Sequence, residues 1–441
     1  MSMDARARTA GGGRWRDAIA PYVERGPIGA LMLGLSSGAP FALIAATLTT
    51  RLAEAGVDKK LVTAFALTFL FYNVKFLWAP LIDRGRLPIL GPLLGQRRSW
   101  LCICALGVAG SLIWLGYADP SGNLSAVVAA ALSTAFFGAS LDIVVDAYRI
   151  ESLSRKQLGA GSGMSQYGWR LGAAGAGALA LVVANRWGWT AAYAAGAVFM
   201  LPALLAALLL GEPRGHAVEL AAEPATRGWK AVRVAVVAPL ADFLGRPGAL
   251  LVLGFILIHK LGDTLANLSL RLLFADLGFD KDVIAAWDVG LGLAATLFGV
   301  LAGGIVFNRL GMMRSVMLSL VLMAVSNLGF AWLATVGSSA PALGAAVGFE
   351  NFASGVGGVA VVAYLSWLCN LRFTATQFAL LSALASVVGR LMSGATAGVL
   401  IEKLGFLDFY LLTTVLALPG IFLFALLMQR GSPDVRAGPR D

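Results

Sequence analysis

The chain has 441 residues, of which 58% are hydrophobic and 13% charged, against the roughly 25% charged share of ordinary soluble domains. Its formal net charge is +10, but the basic residues are spread over short loops rather than gathered on one face, which argues against a nucleic-acid binder. Long apolar runs and 53 glycines exclude a soluble multidomain enzyme and predict an all-α integral membrane protein with closely packed helices.

A span needs about 20 mainly apolar residues. Twelve segments qualify, at roughly 28–50, 61–82, 100–118, 124–150, 160–184, 188–210, 248–274, 283–307, 313–335, 341–370, 374–400 and 405–429. The stretch 1–27 before them carries Arg6, Arg8, Arg14 and Arg16 with no apolar run, so no cleavable signal peptide is expected. Between the sixth and seventh segments, 211–247 is polar and contains Pro213, Pro224, Pro239 and Pro247. It reads as a cytoplasmic linker between six-helix halves at 28–210 and 248–429, with 430–441 as a cytoplasmic tail. Cytoplasmic loops hold the Lys/Arg excess. With the N-terminus inside, most of the 34 basic residues fall inside, while Arg51, Lys59, Lys60, Arg186, Lys281 and Lys403 are assigned to outside loops. Both termini are therefore expected to be cytoplasmic. Trp15, Trp100, Trp187, Trp189 and Tyr410 lie near segment ends and read as interfacial anchors. Cys102, Cys104 and Cys369 fall in apolar segments and read as buried thiols.

The halves repeat. Segment five contains Gly168-Trp-Arg170-Leu-Gly172, and segment eleven contains Gly389-Arg390-Leu. Segment two ends in Asp83-Arg84 and segment eight in Asn308-Arg309. Two six-span repeats are the layout of the major facilitator fold, in which substrate sites lie near the membrane midplane.

Five basic residues, Lys75, Arg170, Lys260, Arg271 and Arg390, lie in or at the edge of apolar segments. A charge at bilayer depth costs roughly 2.5–3.5 kcal/mol, so it usually faces a protein interior or an aqueous path. This pattern points to movement of a polar, anionic solute. Arg271 lies near the outer edge and reads as interfacial. Asp142 and Asp146 are four apart and share one helix face, with Arg149 three further on. Two like charges so placed repel, and a proton on one of them relieves the repulsion. Lys260 and Asp263 are three apart and are expected to bridge within one helix; Glu350 has no such neighbour, and Arg390 or Lys260 is expected to supply its partner. Asp142, Asp146, Asp263 and Glu350 are thus the candidate proton carriers. Lys75, Arg170, Lys260 and Arg390 are the candidate substrate contacts, with Tyr72, Asn73, Gln166, Asn351 and Gln377 as polar neighbours. Asp83, Arg84, Arg97, Arg98 and Arg149 resemble a latch on cytoplasmic helix ends, where basic groups meet helix dipoles. His216 and His259 are the two histidines, so no metal and no cofactor is expected. No catalytic constellation appears, and an enzyme is not expected.

Phe76–Arg84, Asp142–Arg149, Lys260–Asp263, Gly348–Asn351, Cys369-Asn370 and Thr374–Ser386 together resemble the AmpG family of muropeptide permeases. The resemblance spans nearly all of 28–430. It implies a monomeric, proton-driven importer of anhydromuropeptides, an anionic glycopeptide class, across the bacterial inner membrane, in contact with lipid and with no nucleic acid. Where the family often has a lysine, this chain has Val289, so one cationic contact is expected to be missing. Two other readings fit the same spans: a permease for siderophores or other anionic solutes, and a non-transporting membrane assembly factor.

Overall fold

The structure, a computed structural model, describes residues 20–213 and 229–430. Among these residues all regular structure is helical. Eleven helical runs are long and apolar enough to cross a membrane. They are α1 (Arg25–Glu54), α2 (Lys60–Leu77), α3 (Gln96–Tyr117), α4 (Leu124–Ser152), α5 (Arg155–Leu209), α6 (Ala249–Asp276), α7 (Asp282–Leu310), α8 (Met312–Val336), α9 (Ala340–Leu368), α10 (Leu371–Met392) and α11 (Thr396–Gln429). The count differs from the twelve expected segments for a local reason. α5 has 55 residues, which as one straight helix would reach roughly 80 Å, far beyond the ~30 Å apolar layer. It breaks at Gly188, where φ is 81° and ψ 172°, a backbone geometry that side-chain-bearing residues resist. Segments 160–184 and 188–210 are its two arms. Gly405 (φ 75°) makes the same break between the last two expected segments.

The described residues pack as two units. Ala20–Pro239 with Cys369–Ala379 form one, and Leu240–Leu368 with the chain from Leu380 form the other. Much of 1–27, the linker residues 214–228 and the tail from 431 lie outside the described residues, as do Trp15 and His216. Within the linker stretch, Trp229–Leu244 is helical.

Small residues set the helix spacing in the first unit. A Cβ on Gly34 would sit 2.4 Å from the Ser165 carbonyl oxygen, and one on Gly38 2.0 Å from that of Trp169. From the other side, Gly168 and Gly172 approach the Leu31 and Leu35 carbonyls at 2.2 and 2.1 Å. α1 and α5 thus meet backbone to backbone through two four-residue glycine pairs, the close approach that membrane helices favour. In the second unit Gly299 meets the Phe352 carbonyl at 2.2 Å and Gly355 that of Thr296 at 2.5 Å, joining α7 to α9 in the same way.

Charged groups hold both ends of α3. At its start Glu212 accepts the backbone N–H groups of Arg97 (2.8 Å) and Arg98 (3.1 Å). At its end the Arg51 guanidinium donates to the carbonyls of Leu115 (2.5 Å), Gly116 (3.3 Å) and Ala118 (2.6 Å). An anion at the N-terminus and a cation at the C-terminus match the helix dipole and satisfy otherwise orphaned groups. Arg51 was expected in an outside loop. It is buried instead, with its planar fork on three carbonyls. Tyr410 was expected at an interface. It is fully buried, with ring centroids 5.4 Å from Phe330 and 5.3 Å from Phe409. Trp187 is exposed, while Trp189 donates to Glu54 at 3.0 Å and Trp100 to the Gly85 carbonyl at 2.7 Å. Cys104 and Cys369 are buried and Cys102 half-buried, all as thiols.

Arg51→Met should strip the Leu115 and Ala118 carbonyls at the end of α3 of their side-chain donor, Gly116 keeping Thr190, and lower stability by about 1–3 kcal/mol. Thermal unfolding of the purified protein in detergent checks this, with Arg186→Met at an exposed position as control. Equal midpoints for the two variants would remove the capping role.

Candidate functional site

The first unit gathers a chain of charges on α1, α2, α4 and α5. Lys75 is only 7% exposed and sits where α2 tightens into a short 3₁₀ turn, Lys75–Leu77, just before Pro80. Its ammonium pairs directly with the Asp142 carboxylate and lies 3.9 Å from Asp146. Ser37 donates to the other Asp142 oxygen at 2.7 Å. Asp146 in turn pairs with Arg149 at 3.1 Å, and Arg149 donates to Ser162 at 3.1 Å and lies over the Phe378 ring at 5.4 Å. The repulsion expected between the two aspartates is answered by a lysine between them. The two cations and two carboxylates balance. Asp142 and Asp146 keep 23% and 19% of their side chains exposed, so this face opens to water, since lipid would charge heavily for a carboxylate. Arg149, expected in the latch, belongs to this network because it projects from the same turn as Asp146.

The latch lies beyond it. Asp83 is buried and accepts the backbone N–H groups of Ala375 (3.1 Å) and Thr376 (2.7 Å) and the Thr376 hydroxyl (2.6 Å). Its carboxylate therefore caps the helix that starts at Thr374. Arg97, wholly buried, bridges Asp83 at 2.7 Å and Glu151 at 2.7 Å and donates to the Ile82 carbonyl at 3.2 Å. Gln96 donates to the Asp83 carbonyl at 2.5 Å. Arg98 donates to the Ala207 carbonyl, and Arg84 stands 5.8 Å over the Phe373 ring. Sequence reading missed Glu151, Glu212 and the role of Thr376, which are far from Asp83 along the chain.

The second unit holds a different network. α6 is interrupted at Lys260 (φ −102°, ψ 3°), and the following helix, Leu261–Asp276, carries Asp263 in its first turn. Asn267 donates to Asp263 Oδ1 at 3.3 Å and to Glu350 Oε1 at 2.9 Å. Ser326 donates to Glu350 Oε2 at 2.5 Å. Two buried carboxylates thus share one amide donor. The expected Lys260–Asp263 bridge does not form within 4.0 Å: the helix break turns Lys260 out of register, and it remains half-buried. Glu350 finds Asn267 and Ser326 rather than Arg390 or Lys260. Arg271, 61% exposed, pairs with Asp288 at 2.5 Å, beside Val289.

The other candidates are placed apart from these charges. Gln377 is buried, accepts the Asn370 N–H at 2.8 Å and donates to the Pro239 carbonyl at 3.0 Å. With both ends of its amide so used, it clamps backbone rather than facing a solute. Asn351 accepts from Thr296 at 2.9 Å and donates to the Val347 carbonyl at 3.0 Å, which ties α7 to α9. Gln166 and Arg170 are half-buried one turn apart on α5, and Arg170 Nε is buried without a hydrogen-bond partner. Asn73 and Arg390 are exposed. Gly389, next to Arg390, packs on Thr264 of α6, as Gly168, two before Arg170, packs on α1; the sequence repeat has the same packing role in both units.

Residues 28–394 match the family described as the Major Facilitator Superfamily. The anhydromuropeptide permease of Escherichia coli is 39% identical over 401 residues, covering 90% of this chain and 79% of that protein. A putative transporter, AmpG 4, of Rickettsia conorii is 32% identical, covering 89% of this chain and 94% of its own length. Among solved structures, the human organic anion transporter MFSD10 superposes with a TM-score of 0.64 at 18% identity, covering 91% of this chain and 99% of that one. The proton:xylose symporter XylE superposes at 0.62 and 13%, covering 96% of each. These two likenesses establish the fold alone. The chain belongs to the major facilitator superfamily and, within it, to the AmpG family of permeases, as a multi-pass transporter of the bacterial inner membrane.

Proposed function

We propose that the chain imports anhydromuropeptides from periplasm to cytoplasm as a proton symporter working by alternating access, as a carrier and not an enzyme. The substrate class follows the named activity of the Escherichia coli relative, which aligns with nine-tenths of the chain. The observation that carries the reading is the Asp142–Lys75–Asp146–Arg149 network, with buried cations and partly exposed carboxylates, inside membrane-crossing helices. Such charges are tolerated where they meet water and a polar solute. In this reading the termini and the linker 211–247 face the cytoplasm, 28–210 and 248–429 act as the two six-helix halves, and the protein works as a monomer.

The substrate's carboxylates make its uptake uphill by about 2.3 kcal/mol per negative charge per 100 mV of inside-negative potential. Protons moving with it offset that cost. The four candidate acids are not equivalent carriers. Asp142 and Asp146 are matched by Lys75 and Arg149. Asp263 and Glu350 share one amide, with no cation within 4.0 Å among the described residues. A proton on this pair removes a like-charge repulsion, so we assign the coupling proton there. Lys75 and Arg170 are the anion contacts of the first unit, and Lys260 and Arg390 those of the second. Asp83, Arg84, Arg97 and Arg98 fasten helix ends.

Labelled anhydromuropeptide should accumulate in right-side-out membrane vesicles under an inward proton gradient and only equilibrate without one. Absence of uptake in both conditions would exclude the reading, and uptake of an iron–siderophore complex instead would favour a different solute. Glu350→Gln should lower gradient-driven accumulation about tenfold or more while counterflow exchange persists; accumulation at the wild-type level would move the proton elsewhere. Asp83→Asn removes charge from the Thr374 helix start and from Arg97, and should cost about 3–5 kcal/mol of stability as a broken buried pair. An unchanged unfolding midpoint would discount the latch.

A further inference from the structure

Phe41 and Tyr72 stand one helical turn from the charged network, and Phe69 and Trp169 pack on Phe41. Phe41 is four residues beyond Ser37 on α1, Tyr72 three before Lys75 on α2, and Gly138 four before Asp142 on α4. Each spacing keeps the pair on one helix face. Phe41 is the hub: its centroid lies 4.7 Å from Phe69, 5.8 Å from Tyr72 and 5.5 Å from Trp169. All four rings are half-buried, not sealed in the core. Phe41 and Tyr72 share helix faces with Ser37 and Lys75, the two residues that hold Asp142. The rings also lie near the middle of their helices, as Phe41 does between Arg25 and Glu54.

One polar group among the rings is unspent. The Tyr72 hydroxyl is buried without a hydrogen-bond partner and lies beside Gly138, where an added Cβ would be 2.4 Å from it. A buried donor left unpaired is costly, and this one belongs to a half-exposed ring of the cluster. Apolar ring faces with a few convergent donors are what a pyranose needs. Its C–H face lies on an aromatic plane, and its hydroxyl and acetamide oxygens accept hydrogen bonds.

We propose that Phe41, Phe69, Tyr72 and Trp169 form a saccharide subsite that takes an N-acetylated amino-sugar ring of the substrate, with the Tyr72 hydroxyl donating to one of its oxygens. Lys75 and the aspartates one turn away then serve the charged part of the solute. This rests on the reading of the chain as a muropeptide carrier and adds which residues select the sugar. It makes the subsite a property of the first unit alone.

Binding to the purified protein in detergent tests it, with three probes: the N-acetylglucosaminyl-anhydromuramic acid disaccharide, the same disaccharide bearing its peptide, and the free peptide. Trp169→Leu and Phe41→Leu should each weaken both sugar-bearing probes about tenfold or more, the size of an aromatic anchor's loss. Trp169→Phe should recover most of the affinity, since a ring is restored, which separates stacking from misfolding. Tyr72→Phe should weaken the disaccharide without shifting the unfolding midpoint. Disaccharide affinity equal to wild type in both Leu variants overturns the subsite while leaving the muropeptide reading intact. A wild-type protein that binds none of the sugar probes overturns the substrate reading, and the subsite falls with it.

Discussion

A charge inside an apolar layer must be answered by an opposite charge, a hydrogen-bond donor or water, and this requirement organises the molecule. Several buried ions in the described helices have an identifiable answer. Lys75 is placed among two aspartates. Arg97 lies between Asp83 and Glu151. Arg51 has three helix-end carbonyls. Glu350 has a serine and an asparagine. The answers differ in kind. Pairs that are dry and fully matched, such as Arg97 with its two carboxylates, are structural. The Asp142–Lys75–Asp146–Arg149 network matches two cations with two partly exposed carboxylates. The Asp263–Glu350 pair has neutral hydrogen-bond donors and no cation within 4.0 Å among the described residues.

Helix geometry makes these answers reachable. The reciprocal glycine pairs Gly34/Gly38 and Gly168/Gly172 bring α1 and α5 to backbone contact. That approach sets Phe41 against Trp169 and leaves Ser37 free to reach Asp142. Two of the departures from regular α-helix fall at Lys75 and Lys260. Lys75 opens a 3₁₀ turn and Lys260 sits at a break in α6. Tight turns inside long helices commonly mark functional hinges, because they free backbone groups and re-aim side chains. The same lysines would otherwise lie in register with their own helix neighbours.

Much of this could be read from residue patterns. The apolar runs, the Gly168/Gly389 repeat and the AmpG-like motifs pointed to the fold and family. Asp142, Asp146, Lys75 and the Asp83–Arg97 cluster were recognisable because a charge stands out against an apolar background. The Asp146–Arg149 pair follows from its spacing, but most other pairing could not be read. Lys260 and Asp263 have helical spacing but do not bridge, because spacing predicts contact only if the helix is unbroken. Gln377 and Asn351 look like cavity polars but tie backbone and helices, since an amide serves either purpose equally well in sequence. Glu151, Glu212 and Ser326 carry no local signal.

The sequence by itself determined that this chain crosses a membrane many times, that it repeats, and that it keeps costly charges within its helices, since length, hydropathy and charge are properties of single segments. Which acid meets which base, whether Arg51 lies in a loop or caps a helix, and that four rings from three helices converge beside Lys75 were decided only by tertiary structure. Those outcomes depend on distances between residues up to almost three hundred positions apart, as for Asp83 and Thr376, and such distances are fixed by helix packing and by breaks such as those at Gly188 and Lys260.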